Sequence, residues 1–280
     1  MSKIKMIVTD LDGTFFYNGQ MLEENCRAVQ KAREKGIKVF ACTGRSWAMC
    51  GYTMKHIGMD DWAVTANGAS VTQVSTGKLY HPCFVKPEYV GKILTFIANC
   101  KKYKLNTYCG DMMYTTKDLM PWWLEDAEKA NRTLPEEQWT RFTVCDTLDE
   151  MIEKSENICE LIRLETGYER TPMPEEVQAY IDTLDEFQVT TSFNGHWDIN
   201  HKQANKVRGA KYLADKFGFS MEEVLAIGDD INDIEMIQAA GVGVAMGNAQ
   251  ESVKQAAKYH TDMCENYGFA KAIEKGALAE

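Results

Sequence analysis

Four short blocks of the sequence bring carboxylates, hydroxyls and glycines together at close spacing. Asp10-Leu11-Asp12-Gly13-Thr14 holds two acids two residues apart, followed by a glycine and a hydroxyl. Thr43-Gly44-Arg45 sets a hydroxyl and a guanidinium on either side of a glycine, and Asn67-Gly68 sets an amide before one. Gly228-Asp229-Asp230-Ile231-Asn232-Asp233 adds further acids and an amide, and Lys206 supplies a cation. Two carboxylates as close as Asp10 and Asp12 repel, so one holds a proton or both share a cation. With Asp229 and Asp233 added, such a concentration of acid suits a hard cation with oxygen ligands. Magnesium fits when phosphate and water complete its shell. Gly13 permits a tight turn whose N–H groups can cradle phosphate oxygens. Thr43-Gly44, just before a helix, can turn a hydroxyl and helix N-terminal N–H groups toward an anion.

Each block taken singly has a plainer reading. Asp-x-Asp-Gly is also ordinary turn chemistry, Thr43 also suits a helix N-cap, and Lys206 also suits a solvated surface. Lys206 opens a helix, where the dipole disfavours a cation and a bound phosphate would offset that penalty.

The surrounding elements give the blocks a common address. Residues 6–9, 37–42 and 62–65 are short apolar, β-branched-rich runs that read as buried strands. Residues 22–35 and about 47–57 read as helices stopped by Gly36 and Gly58. Strand and helix alternate, which predicts a parallel sheet with helices on both faces. Residues 70–82 read as a hairpin turning at Ser75-Thr76-Gly77. From 86 to about Asn194 the chain is more polar and aromatic, with helices over 88–101 and 175–184 and strands over 162–165 and 188–193. The alternation resumes with a helix over 206–217 and strands over 224–227 and 242–246. The expected architecture is therefore α/β, a parallel-sheet domain interrupted by an α+β unit. Its blocks fall at strand ends, where ligands bind in open parallel sheets.

Bulk properties narrow the function. The 280 residues carry 45% hydrophobic and 26% charged side chains, the composition of a soluble globular protein. A net charge of −10 argues against nucleic-acid or anionic-membrane partners. Nine cysteines without a Cys-x-x-Cys pair argue against a zinc ribbon or disulfide framework and for a reduced, cytoplasmic chain. The opening apolar run is too short for a signal peptide, and no stretch reaches the ~18 residues of a membrane span.

The ordered set Asp10, Asp12, Gly13, Thr14; Thr43; Lys206; and 228–233 resembles the four motifs of the haloacid dehalogenase superfamily. The finer resemblance is to its Cof-like phosphatase branch, through Thr43-Gly44-Arg45, Asn67-Gly68-Ala69, Gly247-Asn248-Ala249 and the segment from Gly268 to Ile273. The resemblance implies a Rossmann-like core over 1–83 and 196–280, with a large α/β cap inserted at 84–195. It implies Asp10 as nucleophile, forming an aspartyl-phosphate, and Asp12 as general acid and then base. Mg2+ would be held by Asp10, the Asp12 carbonyl and Asp229. Thr43 and Lys206 would bind the transferring phosphoryl group with backbone N–H groups near Leu11 and Gly44. Asn67 and Asn232 would contact phosphate or substrate, and Asp233 would steady Lys206 or the metal shell. Arg45 is open between a phosphate contact and a salt bridge with the cap. Phe15-Phe16 and Ser46 stand where the branch more often has leucine and proline, which could reshape the floor of the substrate site.

The expected activity is Mg2+-dependent hydrolysis of a small phosphomonoester such as a sugar phosphate. The alternatives are a phosphomutase and a non-hydrolytic phospho-acceptor or sensor module. Oligomeric state is not readable. Trp122-Trp123 suits packing more than a substrate cleft, and His196, Asp198 and His201 suit polar contacts more than a metal site.

Overall fold

Met6–Thr9 is buried along its whole length, with a parallel neighbour on each side, Lys38–Cys42 and Val224–Gly228. That double pairing explains its continuous Met-Ile-Val-Thr run, since neither face meets water. The computed structural model describes residues 4–167, 171–193 and 195–279. Asn194, expected near the end of the insertion, lies outside them. The chain divides into two compact units. The first holds residues up to Gly44, Thr53–His81 and everything from Asn205 on; the second holds Arg45–Tyr52 and Pro82–Ala204.

The first unit is built on an eight-stranded sheet. Its order is Tyr259–His260, Val242–Ala245, Val224–Gly228, Met6–Thr9, Lys38–Cys42, Trp62–Thr65, Ser70–Gln73 and Leu79–Tyr80. All neighbours are parallel except the last two pairings, which form the expected hairpin. Sequence order reverses between Met6–Thr9 and Val224–Gly228, so the ends of these two strands border a topological switch point. The helices Glu23–Glu34 and Lys206–Phe217 belong to this unit. Ala210, Leu213 and Ala214 of the latter pack on Val8, Phe40 and Val64. Phe15 and Phe16 are core residues, with Phe15 edge-on to Phe269 at 5.2 Å.

The second unit has a six-stranded sheet, ordered Phe142–Cys145, Met112–Thr116, Lys104–Cys109, Leu161–Glu165, His196–His201, Phe187–Phe193. Only the first pairing is parallel. The helices Pro87–Cys100, Leu148–Ser155 and Glu175–Asp182 cover one face, where Ile93, Leu94, Met151 and Val177 meet Leu105, Ile162, Leu164 and Ile199. His196–His201, expected in the returning core segment, is instead a strand of this sheet, paired to neighbours on both sides. The expected boundary at 195/196 therefore cuts through a hairpin, and the chain re-enters the first unit only at Asn205. Of the residues read as polar contacts, Asp198 binds Arg163 and His201 Nδ1 lies 3.4 Å from Cys83 Sγ. All nine cysteines are free thiols. No helix among the described residues is long and apolar enough to cross a membrane.

Candidate active site

The carboxylates at the switch point are held by a single buried lysine. Asn205 caps the helix Lys206–Phe217, its side chain accepting from Arg208 N–H at 2.9 Å, which makes Lys206 the first helical residue. From there Lys206 Nζ donates to Asp10 Oδ1 and to Asp233 Oδ1, each at 2.6 Å, while remaining 1% exposed. The unfavourable helix dipole at this position is thus offset by two carboxylates of the protein itself. Burial works against the lysine charge, but Asp10 and Asp233 outweigh it and hold its pKa above the usual value. Burial pushes Asp10 well above the ordinary carboxylate range; Lys206 pulls it down, and Asp233 and Asp229 push it further up.

Asp233 is fully buried and has no oxygen to spare. Its Oδ2 accepts the backbone N–H groups of Asp229 and Asp230, each at 3.0 Å, and its Oδ1 takes Lys206. Asp229 is arranged differently. Thr14 Oγ1 donates to its Oδ1 at 2.6 Å, and Asn248 Nδ2 to its Oδ2 at 3.3 Å. Burial, then the Asp233 charge, pushes Asp229 up to about 7. One oxygen from each of Asp10, Asp229 and Asp233 lies within 4.8 Å of the others. An all-oxygen set of buried, mutually repelling carboxylates, two of them raised, fits a hard divalent cation such as Mg2+. Asp233 is occupied with N–H donors, so Asp10 and Asp229 are the carboxylates of the set suited to hold that cation.

Two glycines are dictated by close approach. Gly13 has φ +84°, and a Cβ there would lie 2.3 Å from Asp229 Oδ2. Gly68 has φ +91°, and a Cβ there would lie 1.9 Å from the Asn205 carbonyl oxygen. Only glycine lets the first turn pass the Asp229 carboxylate, and only glycine lets the Asn67 turn sit against the start of the Lys206 helix.

The remaining expected residues fall around this centre. Leu11 is fully buried, so only its backbone can face a ligand. Asp12 is exposed in the turn after the first strand and bridges to Phe16. Thr43 is buried, donates its N–H to Val64 O and accepts from Asn67 N–H at 3.1 Å. The following helix begins only at Trp47, so Thr43 is not its N-cap. Gly44 ends the first stretch of the first unit, whereas Arg45 groups with the second. Asn67, in the left-handed region at φ 58°, accepts through Oδ1 from Asn232 Nδ2 at 2.9 Å. Asn67 and Asn232, 165 residues apart in sequence, are thereby joined across two strand ends.

Two residues that the sequence placed in its motifs but gave no role have a clear structural part. Thr14 orients Asp229. Asn248 donates to the Gly13 carbonyl at 2.9 Å and to Asp229, and accepts from Cys264 N–H at 2.9 Å. It thus ties the first turn, the Asp229 loop and the C-terminal segment together. The Gly247-Asn248-Ala249 pattern carried the signal, but nothing in the sequence says what the amide touches.

Comparison with known proteins agrees with this fold. A family model described as haloacid dehalogenase-like hydrolase matches residues 7–273. The 5-amino-6-(5-phospho-D-ribitylamino)uracil phosphatase YcsE of Bacillus subtilis is 29% identical over 276 residues, covering 98% of this chain and 96% of its own. The phosphoglycolate phosphatase of Methanosarcina acetivorans is 29% identical over 272 residues, covering 97% and 96%. The crystal structure of a haloacid dehalogenase-like hydrolase from Bacteroides thetaiotaomicron is 26% identical and superposes with a TM-score of 0.80, covering 98% of this chain and 99% of that one. With its parallel-sheet core, its inserted unit and a match over nearly its full length, the chain belongs to the haloacid dehalogenase-like hydrolases, as a phosphatase of their Cof-like branch.

Proposed function

We propose that the protein hydrolyses small phosphomonoesters in a Mg2+-dependent reaction that passes through a phosphoryl group on Asp10. The observation that carries this reading is the buried Asp10–Lys206–Asp233 chain beside Asp229, at the switch point of the sheet. Lys206 fixes one oxygen of Asp10, and the other attacks phosphorus. The bond to the ester oxygen breaks as Asp12 gives that oxygen a proton. The ionised Asp12 then takes a proton from water, whose oxygen attacks phosphorus, releasing inorganic phosphate and restoring the Asp10 carboxylate. Asp12 suits this exchange because its side chain is exposed in a turn, within reach of water. Asp10 and Asp229, with the Asp12 carbonyl, would hold Mg2+, which when bound removes the repulsion between carboxylate and phosphate and stabilises the transferring charge. Thr43, Lys206, Asn232 and the N–H groups around Leu11 and Gly44 would bind the phosphoryl oxygens, with Asn67 and Arg45 in supporting contact. Asp233 keeps Lys206 charged and in place. The compartment expected is the cytoplasm.

The Bacillus relative acts on a ribitylaminouracil phosphate and the Methanosarcina relative on phosphoglycolate. Their esters differ enough that the reading here stops at the class. Turnover of p-nitrophenyl phosphate, with and without EDTA, tests it. The wild-type protein is expected to need added Mg2+, and Asp10→Asn to lose at least ~10³-fold in kcat. Full Mg2+-dependent turnover by the Asp10→Asn protein would falsify the reading.

A further inference from the structure

Nine free thiols are spread through the chain, and their surroundings sort them. A cysteine is nucleophilic as the thiolate, so its reactivity depends on what can take its proton and on whether a reagent can reach it. Cys42, Cys100, Cys109, Cys159 and Cys264 each direct Sγ at a backbone carbonyl, which accepts a hydrogen bond but does not take a proton at neutral pH. Burial pushes the thiols of Cys26, Cys42, Cys145, Cys159 and Cys264 up, further from the thiolate.

Cys83 is placed differently. Its Sγ lies 3.4 Å from His201 Nδ1, within hydrogen-bond reach for sulfur. The same Nδ1 accepts the backbone N–H of Gln203 at 3.2 Å. A ring nitrogen that accepts from a main-chain N–H carries a lone pair, so the neutral ring holds its proton on Nε2. The thiol is then the donor, its S–H directed at a base. Both residues belong to the second unit, Cys83 one residue past its Pro82 and His201 at the end of the strand His196–His201. Cys83 is 9% exposed, and Pro82, Lys202 and Gln203 beside the pair are exposed, so the pair borders solvent. Charged side chains on the adjoining segments are matched: Lys86 Nζ donates to Glu186 Oε1 at 2.6 Å, and Lys202 Nζ is 3.8 Å from Asp185 Oδ1. Glu186 is held below the usual carboxylate range, chiefly by Lys86 and further by His201 and Lys202. An ionised carboxylate near the ring favours the imidazolium, and with it transfer of the thiol proton.

We propose that Cys83 and His201 form a reactive thiol–imidazole pair, a modification site for small oxidants of the peroxide class. His201 Nδ1 takes the thiol proton, and the thiolate sulfur attacks one peroxide oxygen. An S–O bond forms as the O–O bond breaks, and the proton on His201 goes to the departing hydroxide. Sulfur is oxidised to the sulfenic acid of Cys83, and hydrogen peroxide is reduced to water. The inference is independent of the chemistry at Asp10.

The test labels the reduced full-length protein with iodoacetamide at about pH 6.5 and about pH 9.5, below and above the ordinary thiol range, and reads each cysteine by peptide mapping. Cys26 and Cys100 are more exposed than Cys83, so access alone ranks them first. The pair reverses that order: at the lower pH Cys83 is expected to label at least ~10-fold faster than either. His201→Asn keeps an acceptor for the Gln203 N–H but removes the base. It should slow Cys83 by at least ~10-fold at the lower pH and by less than roughly twofold at the higher, where thiols ionise unaided. A short pulse of hydrogen peroxide followed by dimedone should place the sulfenic-acid adduct on Cys83. The wild-type ranking and the dimedone adduct need no variant, so a His201→Asn protein that fails to fold leaves both in force. Cys83 labelling more slowly than Cys26 and Cys100 overturns the inference, as does a peroxide-treated protein without the adduct at Cys83. In a folded His201→Asn protein, an unchanged rate, or an equal loss at both pH values, would mean that the ring only packs against the thiol, and also overturns it.

Discussion

Replacing Lys206 by methionine keeps most of the side-chain volume but removes the cation that both Asp10 and Asp233 touch at 2.6 Å. Lys206 is 1% exposed and Asp233 0%, so solvent cannot take over its role. Breaking a buried ion pair by deleting one partner costs about 3–5 kcal/mol, because the remaining charge is left uncompensated. At ~2–4 °C per kcal/mol for a chain of this size, the melting temperature should fall by roughly 6–20 °C. The loss should also depend on pH in a defined direction. Without Lys206, the Asp10 carboxyl, already raised by burial and by the nearby Asp233 and Asp229 charges, loses the cation that pulls it down. A raised carboxyl destabilises the fold progressively as pH climbs from its unfolded to its folded pKa, and fully above that. The penalty in K206M is therefore smaller near pH 5 than near pH 8. Urea unfolding in EDTA at both pH values measures it. Adding Asp233→Asn removes one of the two stranded charges, so the double variant should be at least ~1 kcal/mol more stable than the sum of the single losses implies. A K206M protein within ~1 kcal/mol of wild type, or one whose deficit shrinks as pH rises, would refute the electrostatic account of this chain.

Further outcomes follow from the same geometry. Gly13→Ala forces a Cβ toward Asp229 Oδ2 at a φ of +84°; it should raise the Mg2+ concentration for half-maximal stabilisation at least ~10-fold, as read by thermal shift. Asn248→Ala removes the donor to Asp229 and the tie to Cys264 N–H. It should weaken Mg2+ by ~10–100-fold while leaving kcat at saturating Mg2+ largely recovered, and an unchanged Mg2+ titration would count against a positioning part for Asn248. Asp229, raised from 3.8 to about 7, holds a proton below neutrality in the metal-free protein. The gain in melting temperature on adding Mg2+ should accordingly grow between pH 5.5 and 7.5, and a flat profile would argue against Asp229 as a ligand.

The core was legible because the strands that position the site are buried over most of their length and read as largely apolar runs. Met6–Thr9 and Trp62–Thr65 lie where the run begins and ends, and Lys206–Phe217 follows its apolar stripe. That the expected site residues sit at strand ends was legible for the same reason: the fold fixes where strands stop. What a side chain does across the fold was not. Nothing local distinguishes Asp233, consumed by three N–H donors, from Asp229, suited to a cation. The difference comes from Lys206 and from Thr14, distant in sequence. The strand His196–His201 was missed because its polar alternates His196, Asp198 and Asn200 resemble a solvated linker. They are in fact half-buried or buried on the polar face of a sheet. Thr43 was open between cap and ligand; the helix start at Trp47 removes the first option.

The most direct test of the central claim is to find the phosphoryl group on Asp10. In Asp12→Ala, a donor with a good leaving group, such as 2,4-dinitrophenyl phosphate, needs no proton for the first step but lacks a base for the second. The protein should then accumulate one phosphoryl group per chain, and borohydride reduction followed by peptide mapping should place homoserine at position 10. Phosphoryl at any other residue, or rapid release of phosphate without a trapped species while Asp10→Asn retains turnover, would contradict the account.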